Sequence, residues 1–292
     1  MGTATGVGLA DRGHRVRFVD IDSRRVAALS GQGHPAQTEL RLSETEDDIV
    51  FLTVPTPHQG DRFDLGALES AARATGRALA DCPSRPTIVL RSTVPPGTCD
   101  GVVRAVIESE SGKRAGTDFL MASNPEFLRA ASAEADFANP WMTVIASRSA
   151  EATDRLVELL APLGGEMRTF DDPAIAELIK CAHNTFNATK ISFWNEIWMV
   201  GSRLGINTDD VASVVAISAE GSFNPLYGIR GGAPFGGACL PKDTAGFLGF
   251  ASELGLDLRL LRAVVAVNVE VADLLGSEID SFPLQGASAL GR

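Results

Sequence analysis

The chain has 292 residues, 45% of them hydrophobic and 22% charged, with a formal net charge of -11. That length accommodates two ordinary domains, the balance is that of a globular protein, and the acidity excludes non-specific nucleic-acid binding. No run approaches the ~20 apolar residues of a membrane span, and the absence of a signal-peptide pattern, a CxxC spacing or a zinc-like ligand set around Cys82, Cys99, Cys181 and Cys239 leads us to expect a cytosolic protein without disulfides or metal.

In chain order, LADRGHRVRFVDID (9–22) has the pattern that follows a glycine-rich dinucleotide loop. The loop's helix comes first, then a short buried strand over 16–20, then an acidic residue suited to an adenosine ribose. That residue is Asp20, which taken alone reads equally as a solvated strand-end carboxylate. Helical spacing over 23–29 stops at Gly31, and IVFLTVP (49–55) is a second strand ending in a proline turn. Residues 64–80 have helical spacing with Asp64 placed as an N-cap. TIVLRSTVPPG (87–97) predicts a strand running into a proline turn, followed by a helix over about 101–108. Strands near 118–123 and 142–147 and a helix over 151–160 complete the first part. Strand–helix alternation with continuous apolar strands predicts a parallel sheet covered on both faces, which binds ligands beyond the carboxyl ends of its strands.

After Phe170 the alternation stops. A nearly unbroken helical pattern runs from Pro173 to about Leu204, and its aromatic residues (Phe186, Phe193, Trp194, Trp198) suit a domain junction or a dimer core. Further helices are predicted at 208–217, 241–254 and 257–275, around a Gly/Pro-rich loop at 221–238. The domains expected are therefore 1–170 and 171–292. In FGGACLPKDTAGF (235–247), Cys239 follows two glycines and opens a helical run, where backbone N–H groups and the helix dipole lower a thiol pKa. Pro241 is tolerated in a first turn, and Asp243 lies one turn on along the same face. Lys180 and Asn184, spaced i, i+4, project from one side of the long helix. Lysine occurs only at 113, 180, 190 and 242, so Lys180 stands out in a chain that otherwise uses arginine.

GLADRGHRVRFVDID, FLTVPTP (51–57), RSTVPPGT (91–98), NPEFLR (124–129), AELIKCAHNTFNATKISFWNE (176–196) and FGGACLPKD (235–243) occur in that order. Together they resemble the UDP-glucose/GDP-mannose dehydrogenase family of NAD-dependent nucleotide-sugar 6-dehydrogenases, and YGIRGGAPFGGACLPKD (227–243) leans slightly toward the GDP-mannose branch. The resemblance implies a Rossmann-like α/β domain, a helical central domain, and a four-electron oxidation of the sugar's C6 alcohol to a carboxylate. It makes Cys239 the nucleophile, through a thiohemiacetal and a thioester. Lys180, Asn184 and Asp243 would manage the oxyanion and the proton, Glu126 would activate water, and Thr93 would orient it and touch the cofactor. NAD would be held by Gly2, Asp20, Arg25, Thr56 and Thr93, and the substrate's phosphates by Arg230, Lys242, Gly236 and Gly237. His183 is given no role, being expected to face elsewhere on the helix. The partners implied are the nucleotide sugar and a second copy of the chain, as a homodimer or larger homo-oligomer.

Four departures from the family pattern stand out. The opening strand and two of three loop glycines are missing, which would leave two unpaired sheet edges. The stretch between Gly33 and Asp47 is short, as though a helix were deleted. Ala130 and Ala131 stand where a second glutamate and a glycine are usual, and Pro140-Trp141-Met142 replaces Pro-Asp-Arg. The last, nucleotide-gripping domain is not expected before Arg292. A catalytically degenerate homologue that binds or scaffolds through its helical core is the alternative reading.

Overall fold

The structure is a computed structural model that describes residues 1–276. Two compact units divide the chain, Met1–Asn184 and Thr185 onward.

The first unit opens with α1 (Gly2–Ala10), β1 (Phe18–Val19), α2 (Ser23–Gly31) and β2 (Ala36–Gln37). Next come β3 (Ile49–Leu52), a small hairpin of β4 (His58–Gln59) and β5 (Arg62–Phe63), α3 (Gly66–Ala80) and β6 (Thr87–Leu90). A π-helical turn (Cys99–Val103) leads into α4 (Arg104–Ser111), then β7 (Leu120–Ser123), α5 (Ala133–Ala138), β8 (Met142–Ala146), α6 (Ala150–Leu160) and β9 (Glu166–Phe170). Strands β3, β6 and β7 pair in parallel, β7 and β8 antiparallel, and β8 and β9 in parallel, giving one sheet in the order β3-β6-β7-β8-β9. Every residue of β6 is buried, and alternate side chains serve opposite layers. Ile88 and Leu90 join Leu68, Leu79 and Ile107 beneath α3 and α4. Val89 joins Leu9, Phe137 and Leu156 on the other face. Two covered faces explain why these strands read as unbroken apolar runs.

The expected open edges are present. Among the described residues strand β1 hydrogen-bonds only to β2 and β3 only to β6, so β1-β2 and β3-β6-β7-β8-β9 are separate sheets where a continuous one would need a strand between them. Several local expectations need correction. Asp64 does not cap α3; its carboxylate accepts from the Gly66 N–H at 2.8 Å, in a turn one residue early, and Leu65 holds the N-cap position. The expected helix over 101–108 starts as the π-helical turn and runs on to Ser111, where Gly112 ends it in the left-handed region. The strand expected near 142–147 is present as β8 (Met142–Ala146), but it runs antiparallel to β7, whereas the edge strand β9, the short α5 and the β4–β5 hairpin carry no alternating apolar signal strong enough to be seen beforehand. In particular, β9 (EMRTF) is polar because its position at the sheet edge leaves it partly solvated.

Helix α7 (Pro173–Leu204) has the predicted bounds and passes from the first unit into the second. The second unit continues with α8 (Thr208–Ser218), α9 (Glu220–Phe223), α10 (Leu240–Glu253) and α11 (Arg259–Leu275). Its core is Val200 with Leu248, Ala251, Leu258 and Val265. The Glu196 carboxylate on α7 accepts from the N–H groups of Leu260 (2.6 Å) and Leu261 (3.1 Å), satisfying donors that the start of α11 would otherwise leave bare.

Candidate active site

In the first unit the loops after β3, β6 and β7 and the first half of α7 carry the residues that the sequence singles out. Asn124 fixes the turn after β7. Its N–H donates to Leu90 O (2.9 Å), its side-chain amide donates to Val144 O (2.7 Å), and its side-chain oxygen accepts from Arg91. The turn delivers Glu126, whose carboxylate accepts from the Leu128 N–H at 2.6 Å and lies 3.6 Å from the Lys180 ammonium. Lys180 is only 5% exposed, and its ammonium also sits 5.4 Å from the Phe127 ring centre. A buried ammonium needs such a partner, because burial without one costs several kcal/mol, of order the effective penalty per ion. Lys180 is therefore not a solvated helix-surface lysine. Asn184, one turn on, is exposed. His183 does not face elsewhere. Its ring stacks edge-on against Phe127 at 5.0 Å, and burial, then the Lys180 charge, hold its pKa below the ordinary value.

Arg91 is the residue that sequence reasoning missed beneath this turn. It is 7% exposed, lies between the rings of Phe51 and Phe137 at 5.9 and 5.8 Å, and has no carboxylate in ion-pair reach among the described residues. Burial lowers its pKa to about 10, with Glu126 working the other way. Its Nε has no hydrogen-bond partner. The only sequence signal was an arginine directly after an all-apolar strand.

The residues expected to hold the cofactor fall into two pairs and a single glycine. The Thr56 hydroxyl donates to Thr93 O at 2.6 Å, tying the loop after β3 to the loop after β6. Asp20, just past β1, accepts from the Asp22 N–H at 2.9 Å and lies 3.6 Å from Arg25. Gly2 begins α1 against the carboxyl end of β3, where an added Cβ would come within 2.4 Å of Thr53 Oγ1. A helix start with free N–H groups, no room for a side chain, and a strand-end carboxylate with a neighbouring arginine fit the pyrophosphate and ribose ends of a dinucleotide.

In the second unit, Cys239 is the N-cap residue of α10, with Pro241 in the first turn. Of the four cysteines it is the exposed one. Burial pushes the thiols of Cys99 and Cys181 up. The Asp243 N–H closes the first helical turn on Cys239 O at 2.8 Å, so the thiol and the carboxylate share one helix end. Lys242 pairs with Asp243, which raises the lysine's pKa. Asp243 also lines a cavity of about 420 Å³ together with Phe193, Glu196, Phe247 and Leu261. Arg230, Gly236 and Gly237 lie exposed in the loop before α10. Asn268, buried on α11, holds that loop, accepting from the Phe235 N–H (2.6 Å) and donating to Phe235 O (2.9 Å). A lone Asn in an apolar helix was the available signal. Among the described residues no group of three His, Cys, Asp or Glu side chains is arranged to hold a metal ion, and no helix is long and apolar enough to cross a membrane.

Both parts of the chain have counterparts among known proteins. The UDP-glucose/GDP-mannose dehydrogenase family's NAD binding domain matches residues 31–164, and its central domain matches residues 174–270. A GDP-mannose 6-dehydrogenase of Pseudomonas aeruginosa is 34% identical over 284 residues, covering 89% of this chain and 64% of its own length. A UDP-glucose 6-dehydrogenase of Haloferax volcanii is 36% identical over 309 residues, covering 96% and 71%. This chain thus spans about two thirds of the length of these relatives. Among solved structures, the GDP-mannose dehydrogenase ternary complex from Pseudomonas aeruginosa superposes with a TM-score of 0.87 at 32% identity, covering 94% of this chain and 69% of that one. The UDP-glucose dehydrogenase of Pyrobaculum islandicum gives 0.69 at 33%, with the same coverage. With both domain patterns matched and the α/β and helical parts in place, the chain belongs to the UDP-glucose/GDP-mannose dehydrogenase family, whose members are NAD-dependent nucleotide-sugar dehydrogenases.

Proposed function

We propose that this chain oxidises the C6 hydroxyl of a nucleotide sugar, UDP-glucose, GDP-mannose or a relative, to the uronic acid. The observation that carries the reading is Lys180: an ammonium buried at the carboxyl edge of the sheet, 3.6 Å from Glu126. In this reading residues 1–170 bind the cofactor and residues 171–292 carry the nucleophile. NAD+, when bound, supplies the hydride acceptor, twice for each alcohol taken to a carboxylate. Gly2, Asp20, Arg25, Thr56 and Thr93 are the residues this chain offers it. Arg230, Lys242, Gly236 and Gly237 take the sugar nucleotide's phosphates, by cationic side chains and backbone N–H groups.

Lys180 and Asn184 stabilise the oxyanion that forms at C6, and Asp243 assists the transfer of its proton. The Cys239 thiolate then adds to the aldehyde carbon, because an aldehyde has no second hydride to lose until a nucleophile has made it tetrahedral. Oxidation of that thiohemiacetal leaves a thioester on Cys239. Glu126 takes a proton from the water that attacks it, Thr93 orients that water, and the uronic acid leaves as the thiolate returns. The protein acts as a homodimer or larger homo-oligomer, a reading supported by the exposed apolar side chains Phe186, Ile191 and Trp198 on α7 and Val214 and Ile217 on α8.

The test is NADH formation by the purified chain with UDP-glucose and with GDP-mannose. Two NADH per sugar, abolished in Cys239→Ser, is expected. Absence of turnover together with absence of NAD+ affinity would sink this reading and leave a homologue that binds or scaffolds.

A further inference from the structure

Helix α7 grips the loop that follows β6 through one buried carboxylate, a contact the mechanism above does not use. Glu177 is 2% exposed. Its two oxygens accept from the N–H groups of Gly97 (2.5 Å) and Cys99 (2.7 Å), and the Thr98 N–H adds to the same field. Gly97 has a φ of +89°, while Thr98 is right-handed at −67°. Successive left- and right-handed residues turn neighbouring N–H groups into one concavity, a backbone nest that binds anions. Here the anion is a protein side chain nearly eighty residues away in sequence. One turn further along α7, the Cys181 thiol donates to Val94 O at 3.3 Å. The i, i+4 pair Glu177 and Cys181 thus holds both ends of Val94–Cys99, while Lys180, on the adjoining face, meets Glu126 and Phe127.

We propose that Glu177 is a positioning residue: by filling the Gly97–Cys99 nest it fixes Thr93 and Val94 in the same frame as Lys180, three residues along the helix. This inference rests on the functional reading given above. A structural carboxylate would gain more from solvent exposure or from an arginine. Among the described residues Glu177 instead accepts only backbone N–H groups, and burial lifts its pKa from the ordinary carboxylate value despite them. The charge is kept where it is not favoured for stability, and what it secures is the geometry of a loop. Thr56, bonded to Thr93 O, ties the loop after β3 into the same frame.

The test compares Glu177→Ala and Glu177→Gln with the parent chain in two readouts. Amide hydrogen exchange of the 94–99 segment is expected to quicken at least ~10-fold in Glu177→Ala, with β8 unchanged, since the nest's donors lose their acceptor. Turnover of the active sugar nucleotide should fall by ~10–100-fold in kcat, with KM changed less, as expected for a misplaced reacting frame. Glu177→Gln can accept from one N–H but sets its NH2 against the other. It should therefore lie between the two in kcat and in the exchange rate of the 94–99 segment. Unchanged exchange and kcat in Glu177→Ala would overturn the proposal. So would faster exchange spread evenly over the whole first unit with kcat per folded molecule intact. Should the parent chain oxidise no nucleotide sugar, the functional reading falls, and the exchange readout still decides the clamp.

Discussion

Cys239 and Lys180 make the sharpest single-residue predictions because their surroundings differ so much. The exposed Cys239 caps a helix without bonding to it, so Cys239→Ser should leave the Tm within about 2 °C while lowering uronic acid formation by on the order of 10³-fold or more. Lys180→Met keeps the buried volume and removes the charge; kcat should fall ~10²–10³-fold, read by steady-state kinetics, if the proposed preorganised oxyanion partner is gone. Two carboxylates should leave opposite marks on the pH dependence of stability. Asp136, bonded to Arg129, is held far below the usual carboxylate range, so its contribution is present above about pH 3.9, the unfolded value, and disappears as pH falls through the folded pKa. Glu177, raised by burial, contributes most below its unfolded value of about 4.3, and that contribution is lost as pH rises through its folded pKa. Thermal melts between pH 2 and 6 should show the acid-side loss flattened in Asp136→Asn, and in Glu177→Gln the stability lost as pH rises should be recovered. The chemistry of these residues was partly legible: spacing put Lys180 on one helix face, but only folding could bury it, since burial depends on the NPEF turn arriving from fifty residues away.

At the scale of elements, α3 and α4 pack with no room for a side chain at Gly76. A Cβ on Gly76 would lie 2.6 Å from Glu110 Cβ and 3.0 Å from the Ile107 carbonyl oxygen. Gly76→Ala should therefore cost about 1–3 kcal/mol by urea unfolding, the usual penalty of overpacking, against the small gain alanine gives inside a helix. The elements with a strong period were readable. The bounds of α7 match the apolar pattern from Pro173 to Leu204, β6 follows from a run buried on both faces, and β3 follows from an apolar run that is half-buried except at Leu52. The short or edge elements were not. Strand β9 is half polar, α5 has six residues, and the antiparallel turn of β8 against β7 rests on a single register pair, Ser123 with Ala146, which no local pattern encodes.

At the scale of the whole molecule, α7 and α8 expose Phe186, Ile191, Trp198, Val214 and Ile217, which supports the self-association proposed above. Light scattering should report a dimer or larger species, and Trp198→Asp should shift it toward monomer; an unchanged mass in that variant would place the contact elsewhere. Among the described residues β1 and β3 are each paired on one side, so each presents an open edge that a continuous sheet would use.

The sequence by itself determined the family and the α/β-then-helical order, and it supplied the residues proposed for the reaction, because these live in local spacing and in motifs that survive without contacts. The tertiary structure alone decided which of those residues are buried together. Lys180 beside Glu126, His183 against Phe127, the Thr56–Thr93 bond and Glu177 in its nest all join segments far apart in sequence. Such pairs depend on how loops from different strands meet one helix, and no residue's near neighbours in the chain carry that information.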